Sequence, residues 1–353
     1  MRVLLTGAAG FIGQAVATAL TDAGHEVVGL DVMLPQAHPP GRPPDGVALV
    51  DVRDAHALRD HLAGVDMVCH QAALVGAGVR VADLPAYAAH NDLGTAVLLA
   101  EAHAAGVRRL VLASSMVVYG EGRHRCPEHG EQPAGPRAPA DLDAGRYDVG
   151  CPLCGGPMDW ALVDEDARLD PRSAYAASKV AQEHYAAAWA RQGGGRVVAL
   201  RYHNVYGPGM PRDTPYSGVA AMFRSALERG EAPRVFEDGR QARDFVHVDD
   251  VARANLAACA AAADAGPGAV RAYNVCSGTP VTIADVAALV ARGAAGPDPV
   301  VVGGARPGDV RHVVASPERA ATELGFRAQV APDVGLPAFA TAPLRAAADV
   351  TSP

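Results

Sequence analysis

Short apolar runs alternate with alanine-rich helical patterns through the first part of the chain. The runs are continuous and rich in Val and Leu, which is typical of strands that a parallel sheet buries on both faces. They occupy residues 2–6, 25–31, 47–52, 66–73, 109–115 and 196–202. Strands that alternate with helices in this way predict an α/β fold with a doubly wound parallel sheet.

In such a sheet, ligands bind at the carboxyl ends of the strands. Candidate residues stand at these ends: Gly7, Asp31, Ala72 and Ser115 each close or follow one of the apolar runs. Ala72 is small, which suits close passage of the chain beside a cofactor. The pattern therefore predicts that these residues meet at one edge of the sheet.

A glycine-rich turn joins the first apolar run to the first helical pattern. Gly7, Gly10 and Gly13 recur in it, and such a turn lets backbone N–H groups approach a pyrophosphate at a helix N-terminus. Asp31 ends the next run, where a carboxylate accepts from both ribose hydroxyls of NAD and repels the 2′-phosphate of NADP. Asp51 follows the third run and is placed to meet the adenine amino group. The alternative is a structural turn without a nucleotide.

Two breaks in the alternation divide the chain into parts. Residues 121–166 are rich in Pro, Gly and charge and lack α/β periodicity, and Pro and Gly after residue 203 mark the exit into a different lobe. We predict a Rossmann-type NAD-binding domain, an insert, a smaller C-terminal α/β substrate-binding lobe and a tail. The predicted boundaries are 1–120, 167–203 and 240–263 for the first, 121–166 for the insert, 204–239 and 264–330 for the lobe, and 331–353 for the tail.

Composition excludes several classes of protein. The chain has 353 residues, of which 49% are hydrophobic, and a net charge of −8, which argues against a nucleic-acid partner. No apolar segment approaches the ~18 residues that a membrane span needs. The first apolar run is too short for a signal peptide. With cysteines that do not suggest a disulfide framework, these features predict a cytoplasmic protein.

Residues 173–192 carry a candidate acid/base pair in an alanine-rich helical pattern. Tyr175 and Lys179 are four residues apart, so a helix places them on one face. An ammonium group nearby favours the phenolate and lowers the pKa of a tyrosine. The pair is therefore a plausible device for interconverting an alcohol and a ketone. The alternative is an amphipathic helix whose tyrosine packs and whose lysine is solvated.

The insert contains two short-spaced pairs of metal-ligand residues. Cys126 and His129 form a Cys-x-x-His pair, and Cys151 and Cys154 form a Cys-x-x-Cys pair. This pattern is typical of a zinc ribbon, in which four ligands leave no open position and the metal is structural. His124 is a possible substitute for His129. The alternative is a disordered loop with incidental thiols.

In the second half of the chain, two arginines are candidates for a diphosphate clamp. A planar guanidinium suits phosphate, and Arg243 and Arg306 both lie beside predicted strands of the lobe. Surface arginines that form salt bridges are the alternative.

These motifs, in this order, resemble the extended short-chain dehydrogenase/reductase family, and more narrowly its NAD-dependent nucleotide-sugar epimerases and dehydratases. The similarity spans residue 2 to about residue 327, outside the insert. The insert is similar to one in a branch often assigned as dTDP-L-rhamnose 4-epimerases. The motifs that carry the resemblance are T-G-x-x-G-x-x-G at 6–13, D-V at 51–52, S-S-x-x-V-Y-G at 114–120, Y-x-x-x-K at 175–179, R-Y-x-N-V-Y-G-P at 201–208 and R-D-F-V-H-V-D-D at 243–250.

The resemblance implies a role for each residue at a matching position. Tyr175 would be the acid/base, Lys179 would bind the nicotinamide ribose and lower the tyrosine pKa, and Ser115 would hydrogen-bond the reacting sugar hydroxyl. The residues expected to hold NAD are Gly7, Gly10, Phe11, Ile12, Gly13, Asp31, Asp51, Val52, Ala72, Tyr175, Lys179 and Tyr202. The residues expected to serve the nucleotide sugar are Ser115, Asn91, Asn204, Arg243 and Arg306. Helices near 85–105 and 173–192 resemble those of a dimer interface, so we expect a homodimer.

One departure from the family pattern narrows the reaction. Dehydratases of the family place Asp-Glu after the catalytic hydroxyl residue, whereas Met116 and Val117 stand here and cannot titrate. The resemblance therefore favours a nucleotide-sugar 4-epimerase that oxidises C4 transiently with NAD. The alternatives are a nucleotide-4-ketosugar reductase or dehydrogenase, and an NAD-sensing binding protein without catalysis.

Overall fold

The computed structural model describes residues 1–35, 37–38, 41–76, 78–212, 218–306 and 308–345. Its strands in chain order are β1 (Arg2–Thr6), β2 (Glu26–Asp31), β3 (Val47–Leu49), β4 (Met67–His70), β5 (Arg109–Ser115), β6 (Arg123–Cys126), β7 (Gly130–Gln132), β8 (Asp159–Ala161), β9 (Arg196–Tyr202), β10 (Asn204–Tyr206), β11 (Arg234–Phe236), β12 (Ala242–His247), β13 (Val270–Val275), β14 (Pro280–Thr282) and β15 (Val300–Gly303).

The helices lie between these strands as the periodicity requires. In chain order they are α1 (Phe11–Asp22), α2 (Ala55–Leu62), α3 (Leu84–Tyr87), α4 (Gly94–Ala104), α5 (Pro139–Asp143), α6 (Ala174–Gly193), α7 (Val219–Glu228), α8 (Val248–Asp264), α9 (Ile283–Gly293), α10 (Glu318–Glu323) and α11 (Pro332–Phe339). A π-helical segment, Ala88–Leu93, joins α3 to α4, so the long helix expected near 85–105 is interrupted. Among the described residues, no helix is both long and apolar enough to cross a membrane.

The main sheet has seven parallel strands in the order β13-β9-β5-β4-β1-β2-β3. Helices α1 and α8 pack on one face, and α2, α4 and α6 pack on the other. Strand β1 has β2 on one side and β4 on the other, so the chain switches direction there. A crevice opens above such a switch point, and it is the usual ligand site of an α/β sheet. The predicted fold class is confirmed.

A smaller lobe sits at this edge of the sheet. It contains the three-stranded sheet β10-β12-β14, the two-stranded sheet β11-β15 and helices α7, α9 and α11. Its core packs aromatic rings edge to face, with Tyr206 against Phe245 and Phe339. The lobe therefore has a hydrophobic core of its own.

The structure differs from the predicted boundaries in three places. Strand β13 pairs with β9 at the end of the main sheet, although residues 264–330 were assigned to the lobe. Strand β12 belongs to the lobe's sheet, although 240–263 was assigned to the Rossmann-type domain. Helix α11 buries Leu336 and Phe339 in the lobe, so the described part of the predicted tail is structured. The first two errors arise because the sequence of a short strand does not show which strand it will pair with.

The insert forms a small antiparallel sheet in the order β7-β6-β8. Its last residues then run beside the lobe, where the Val163 N–H donates to the Val314 carbonyl at 2.8 Å and the Val163 carbonyl accepts from Ser316 at 2.9 Å. The insert leaves the sheet after β5 and returns at α6. It is thus attached at the carboxyl edge of the main sheet, beside the crevice.

Candidate active site

A cavity of about 1050 Å³ lies between the main sheet and the lobe. The residues predicted to bind cofactor and substrate come from distant parts of the chain, and all of them except Asn91 line this cavity. The predicted residues that line it are Gly7, Gly10, Phe11, Ile12, Gly13, Asp31, Asp51, Val52, Ala72, Ser115, Tyr175, Lys179, Tyr202, Asn204, Arg243 and Arg306.

The turn before α1 depends on glycine for steric reasons. Gly7 has a φ of +68°, and a Cβ there would lie 2.7 Å from the Ala72 nitrogen. A Cβ at Gly13 would lie 2.0 Å from the Gly7 carbonyl oxygen. Gly10, the N-cap residue, offers no side chain to cap the helix. The first N–H groups of α1 are therefore presented beside the cavity, which suits the pyrophosphate of a dinucleotide.

Asp31 closes one end of the cavity as a buried carboxylate. Its oxygens accept from the Ala9 N–H at 3.1 Å and the Met33 N–H at 2.8 Å, and the His38 ring lies 3.4 Å away. Burial alone would raise the pKa of Asp31, but His38 and the two N–H groups outweigh it and lower the pKa. The ionised carboxylate is the acceptor that ribose hydroxyls require.

Asp51 also lines the cavity, but its oxygens are engaged by a neighbour. Arg53 donates to them through Nε at 3.0 Å and Nη2 at 2.5 Å, and through its backbone N–H at 2.9 Å. These hydrogen bonds lower the pKa of Asp51. A carboxylate accepts up to about four hydrogen bonds, so an adenine amino group would share Asp51 with Arg53.

Tyr175 sits in the first turn of α6, whose N-cap Ser173 accepts from the Ala176 N–H at 3.2 Å. Desolvation and Ser115, at the end of β5, act on the pKa of the Tyr175 hydroxyl in opposite directions, and the interaction with Ser115 lowers it. Burial has the larger, opposite effect and raises the pKa of Tyr175 to about 12. The Tyr87 ring packs against Tyr175 with centroids 5.9 Å apart. Tyrosine and serine hydroxyls thus converge at one point of the cavity.

Lys179 is the only lysine in the sequence. Its side chain is buried, with Nζ donating to the Ala113 carbonyl at 3.0 Å and lying 5.9 Å from the centre of the Tyr175 ring. Burial lowers the pKa of Lys179 to about 8. The lowering of the Tyr175 pKa expected from this pair is not found, because desolvation of the phenol exceeds the effect of an ammonium that bonds elsewhere.

Helix α6 is held against the sheet one turn beyond Lys179. Glu183 accepts from Ser114 at 2.5 Å and from Arg201 through Nε at 3.0 Å and Nη2 at 2.8 Å. Ser114 lies on β5 and Arg201 lies on β9, so one carboxylate ties two strands to the helix. This arrangement fixes the height of Tyr175 and Lys179 above the strand ends.

Asn91 lies behind the cavity instead of lining it. It is fully buried in the π-helical segment, where Oδ1 accepts from the Leu74 N–H at 2.7 Å and Nδ2 donates to Ser178 at 2.8 Å. Asn91 was expected among the substrate residues, and this placement corrects that expectation. It supports the site by joining the chain after β4 to helix α6.

The far end of the cavity is lined by residues of the lobe. Arg243 donates to the carbonyls of Ala242 and Arg311, each at 2.9 Å, and burial lowers its pKa. The Arg306 guanidinium lies 4.5 Å from the centre of the Phe236 ring. The Oδ1 atom of Asn204 has no partner among the described residues. Two arginines and an asparagine with an unpaired Oδ1 therefore line the cavity at this end.

The positions after Ser115 form a 3₁₀ turn, Met116–Tyr119. Met116 and Val117 both line the cavity, and neither carries a group that can exchange a proton. Tyr175 and Ser115 therefore supply the hydroxyls that the family resemblance assigns to proton transfer beside these two positions.

The family model for the NAD dependent epimerase/dehydratase family matches residues 3–141 and 157–276. The chain belongs to this family. It is 33% identical to dTDP-L-rhamnose 4-epimerase of Burkholderia thailandensis over 93% of this chain and 91% of that protein. It is 30% identical to UDP-glucose 4-epimerase of Mycolicibacterium smegmatis over 94% and 95%. The solved UDP-glucose 4-epimerase of Thermus thermophilus, in complex with NAD, superposes with a TM-score of 0.73 at 31% identity, covering 96% of this chain and 98% of that one.

This epimerase/dehydratase family member carries a Cys/His cluster in its insert. The ligand atoms of Cys126, His129, Cys151 and Cys154 all lie within 4.8 Å of one another. The Cys126 sulfur is 3.5 Å from the His129 nitrogen and 3.8 Å from the Cys154 sulfur. Tetrahedral zinc with ordinary bond lengths has edges of about 3.5 Å between S and N and about 3.8 Å between two S atoms. These two distances therefore match edges of a tetrahedral zinc site.

His124 is not part of the cluster. Its Nε2 hydrogen-bonds with the Glu121 carbonyl at 2.8 Å, so His129 is the histidine that the fold places among the cysteines. The backbone N–H of Leu153 donates to the Cys151 sulfur at 3.4 Å. Burial opposes ionisation of Cys151, but backbone donors outweigh it and lower the pKa of the thiol to about 7, which favours a thiolate ligand.

Buried ion pairs attach the insert to the lobe. Arg137 of the insert donates to Glu237 at 2.8 Å, and Arg311 donates to the same carboxylate at 2.9 Å. Arg137 also donates to the Asp309 carbonyl at 2.7 Å, and the Arg311 N–H donates to Glu121 at 2.7 Å. Residues between 308 and 313 contribute to the cavity wall, so the insert holds that wall in place.

Arg345 and His38 are two of the polar cavity residues that the sequence analysis missed. Arg345 donates to the Ala9 carbonyl at 2.8 Å and lies beside the His38 ring, and both Arg345 and His38 line the cavity. His38 lies in a Pro-rich loop and Arg345 in the segment expected to be a tail. Neither position has a local pattern that could have revealed it.

Proposed function

We propose that this protein is an NAD-dependent nucleotide-sugar 4-epimerase. The observation that carries the proposal is the meeting of Tyr175 and Ser115 above Lys179, with Met116 and Val117 as the next residues in the wall. This set can move one proton to and from a sugar hydroxyl. It offers no carboxylate to remove a second proton from carbon, which loss of water would require.

The residues around the crevice fit NAD. The N–H groups at the start of α1 suit the pyrophosphate, and the Asp31 carboxylate suits the adenosine ribose. Gly7, Phe11, Ala72 and the other residues that line this part of the cavity would complete the site. When bound, NAD supplies reversible hydride acceptance at the sugar carbon, which no protein side chain can provide.

The side chains would act on the C4 hydroxyl of the substrate. Tyr175 takes the hydroxyl proton while Ser115 holds the same oxygen, and Tyr175 later donates the proton back to the 4-keto oxygen. Desolvation raises the pKa of Tyr175, and the Lys179 ammonium on the same helix face would act against this by stabilising the phenolate that accepts the proton. Turning of the keto sugar between the two half-reactions exposes its other face, and this inverts C4.

The substrate would be a nucleoside-diphosphate sugar. Arg243, Arg306 and Asn204 line the part of the cavity that the lobe forms, and the Asn204 amide oxygen has no partner among the described residues. Guanidinium groups pair well with phosphate oxygens. We propose that these residues hold the diphosphate, which would leave the sugar between them and Tyr175.

We further propose that the Cys/His cluster binds one structural zinc ion, since four protein ligands leave no position open for chemistry. Free thiols that serve as metal ligands fit a reducing compartment, so we propose the cytoplasm. A homodimer is proposed because Leu84, Leu93 and Tyr185 expose apolar surface on or beside helices α3, α4 and α6, with 49%, 52% and 47% of each residue accessible. Light scattering after gel filtration would test the dimer, and Leu93→Asp should shift it to monomer.

The proposed reaction is tested by incubating the purified protein with dTDP-, UDP- and GDP-sugars and following C4 configuration by NMR. Inversion without net NADH production is the expected result. Stoichiometric formation or consumption of NADH would instead favour a dehydrogenase or a 4-ketosugar reductase. A protein that retains NAD and inverts none of the sugars would refute the 4-epimerase proposal.

A further inference from the structure

His203 is a buried histidine with two unused ring nitrogens. Only 4% of the residue is accessible, and neither Nδ1 nor Nε2 has a hydrogen-bond partner among the described residues. By contrast, the buried His70 bonds with Thr6 at 2.7 Å and with Thr95 at 2.9 Å. A buried polar atom without a partner costs about 1–3 kcal/mol. A fold that leaves both nitrogens of His203 unpaired therefore calls for an explanation.

The position of His203 indicates where a partner would come from. Its backbone N–H donates to the Val275 carbonyl at 3.0 Å, which fixes the residue between the end of β9 and the start of β10. His203 lines the cavity, with Tyr202 on one side in sequence and Asn204 on the other, and both of these also line it. The residue thus lies between the strand end expected to meet the cofactor and the groups proposed to hold the diphosphate.

We propose that His203 hydrogen-bonds a hydroxyl group of the sugar and so positions the pyranose ring in front of Tyr175. This inference rests on the proposed function, because it requires a sugar nucleotide in the cavity. His203 is assigned as a positioning residue and a determinant of sugar affinity. It takes no part in proton transfer at C4.

The chemistry of the ring fits this partner. Burial, together with the charge of Arg243, lowers the pKa of His203 to about 3, so the imidazole is neutral at physiological pH. A neutral imidazole has one N–H donor and one lone-pair acceptor. A sugar hydroxyl is both a donor and an acceptor, so it can bond to either ring nitrogen. A phosphate offers acceptors only and would leave the unprotonated nitrogen without a donor.

The experiment compares His203→Phe with His203→Gln in the full-length protein. Phenylalanine removes both hydrogen-bonding groups and keeps a ring, whereas glutamine keeps a donor and an acceptor. Calorimetry measures binding of UDP-glucose and dTDP-glucose, each against its sugar-free nucleotide, UDP or dTDP. NAD content and melting temperature are recorded for every variant to detect a general loss of structure.

We expect His203→Phe to weaken binding of the sugar nucleotides about tenfold, which is the scale of one buried hydrogen bond, and to leave binding of UDP and dTDP unchanged. His203→Gln should recover most of the lost affinity. Equal loss for UDP and UDP-glucose, or no loss for either sugar nucleotide, would overturn the inference.

The two proposals fail in distinguishable ways. Wild-type protein that binds sugar nucleotides without inverting C4 refutes the 4-epimerase and leaves the His203 comparison decisive. If wild-type protein binds UDP and dTDP as tightly as it binds their glucose conjugates, the sugar does not contribute to binding. That result overturns the role of His203. Failure to bind any of the four nucleotides overturns the role of His203 and leaves the 4-epimerase to be decided by the wider panel, which includes GDP-sugars.

Discussion

The Lys179 ammonium lies 5.9 Å from the centre of the Tyr175 ring and donates a hydrogen bond to the Ala113 carbonyl at 3.0 Å. Lys179 is buried and Tyr175 is partly buried, and desolvation moves both pKa values toward the neutral form, to about 12 for Tyr175 and to about 8 for Lys179. The fold therefore keeps a phenol and a marginally stable ammonium ion together in a site that disfavours charge. Sites of this kind are typical of acid/base catalysis.

Removing the phenol should abolish the reaction without emptying the cofactor site. We expect Tyr175→Phe to lower kcat by at least about 10³-fold, because a positioned acid/base contributes about 10²–10⁴-fold. NAD should still co-purify. Tyr185→Phe is the matched control, since Tyr185 lies on the same helix with 47% of its surface exposed, and it should retain wild-type activity. Activity in Tyr175→Phe above a tenth of the wild-type value would exclude the assigned role.

Lys179→Met should inactivate the enzyme and yet stabilise the fold. A lysine pKa lowered from 10.5 to about 8 means that the native state binds the proton less tightly than the unfolded chain does. We expect the variant to gain about 1–3 kcal/mol in free energy of unfolding at pH 7. Urea denaturation measures this, and a variant less stable than wild type at pH 7 would contradict the prediction.

The lowered pKa of Lys179 also determines how the stability of the wild-type protein changes with pH. Between pH 8 and pH 10.5 the unfolded chain holds more protons than the native state at Lys179, so this group makes wild-type stability increase with pH in that window. The advantage of Lys179→Met over wild type should therefore shrink at pH 9.5. Lys179→Arg is the contrasting variant, because a guanidinium cannot shed its proton, and its deficit should persist at both pH values.

The main sheet and most of the cavity could be predicted from the sequence, because the patterns that indicate them are local. Each strand is one apolar run, and Gly7, Asp31 and Ser115 stand at strand ends whose meeting follows from topology. Arg345 could not be found this way, since its contact with Ala9 joins the two ends of the chain. The pKa of Tyr175 was also beyond a sequence argument, because it depends on the extent of desolvation, which only the packed structure fixes.

Loss of one cysteine should empty the metal site of the insert. We expect Cys154→Ser to reduce bound zinc from about one ion per chain to near zero, since tetrahedral structural sites use all four ligands. Elemental analysis of the purified protein measures this. Cys276→Ser is the control, because Cys276 is buried outside the cluster. Equal zinc content in Cys154→Ser and Cys276→Ser would refute the assignment.

Glu237→Gln should be strongly destabilising. The Glu237 carboxylate accepts from Arg137 and Arg311. A neutral amide would leave the buried Arg137 guanidinium with only Glu121 at 3.8 Å as a counter-charge, while Arg311 keeps its pairs with Asp148 and Asp238. Breaking a buried pair costs about 3–5 kcal/mol, which chemical denaturation would detect. Glu131→Gln breaks the pair with Arg123, in which the carboxylate side chain is 59% exposed, and should cost under ~1 kcal/mol. Similar losses in both variants would contradict a special role for Glu237.

The single buried lysine also makes the chain an unusual substrate for proteases that cleave after lysine. Lys179 lies in helix α6 with only 3% of its surface accessible, and the sequence contains no other lysine. Such a protease can therefore cut this chain at one peptide bond, and only after α6 has come away from the sheet. The rate at which two fragments of nearly equal length appear then measures how often helix α6 opens. Cleavage in surface loops does not contribute, because they contain no lysine.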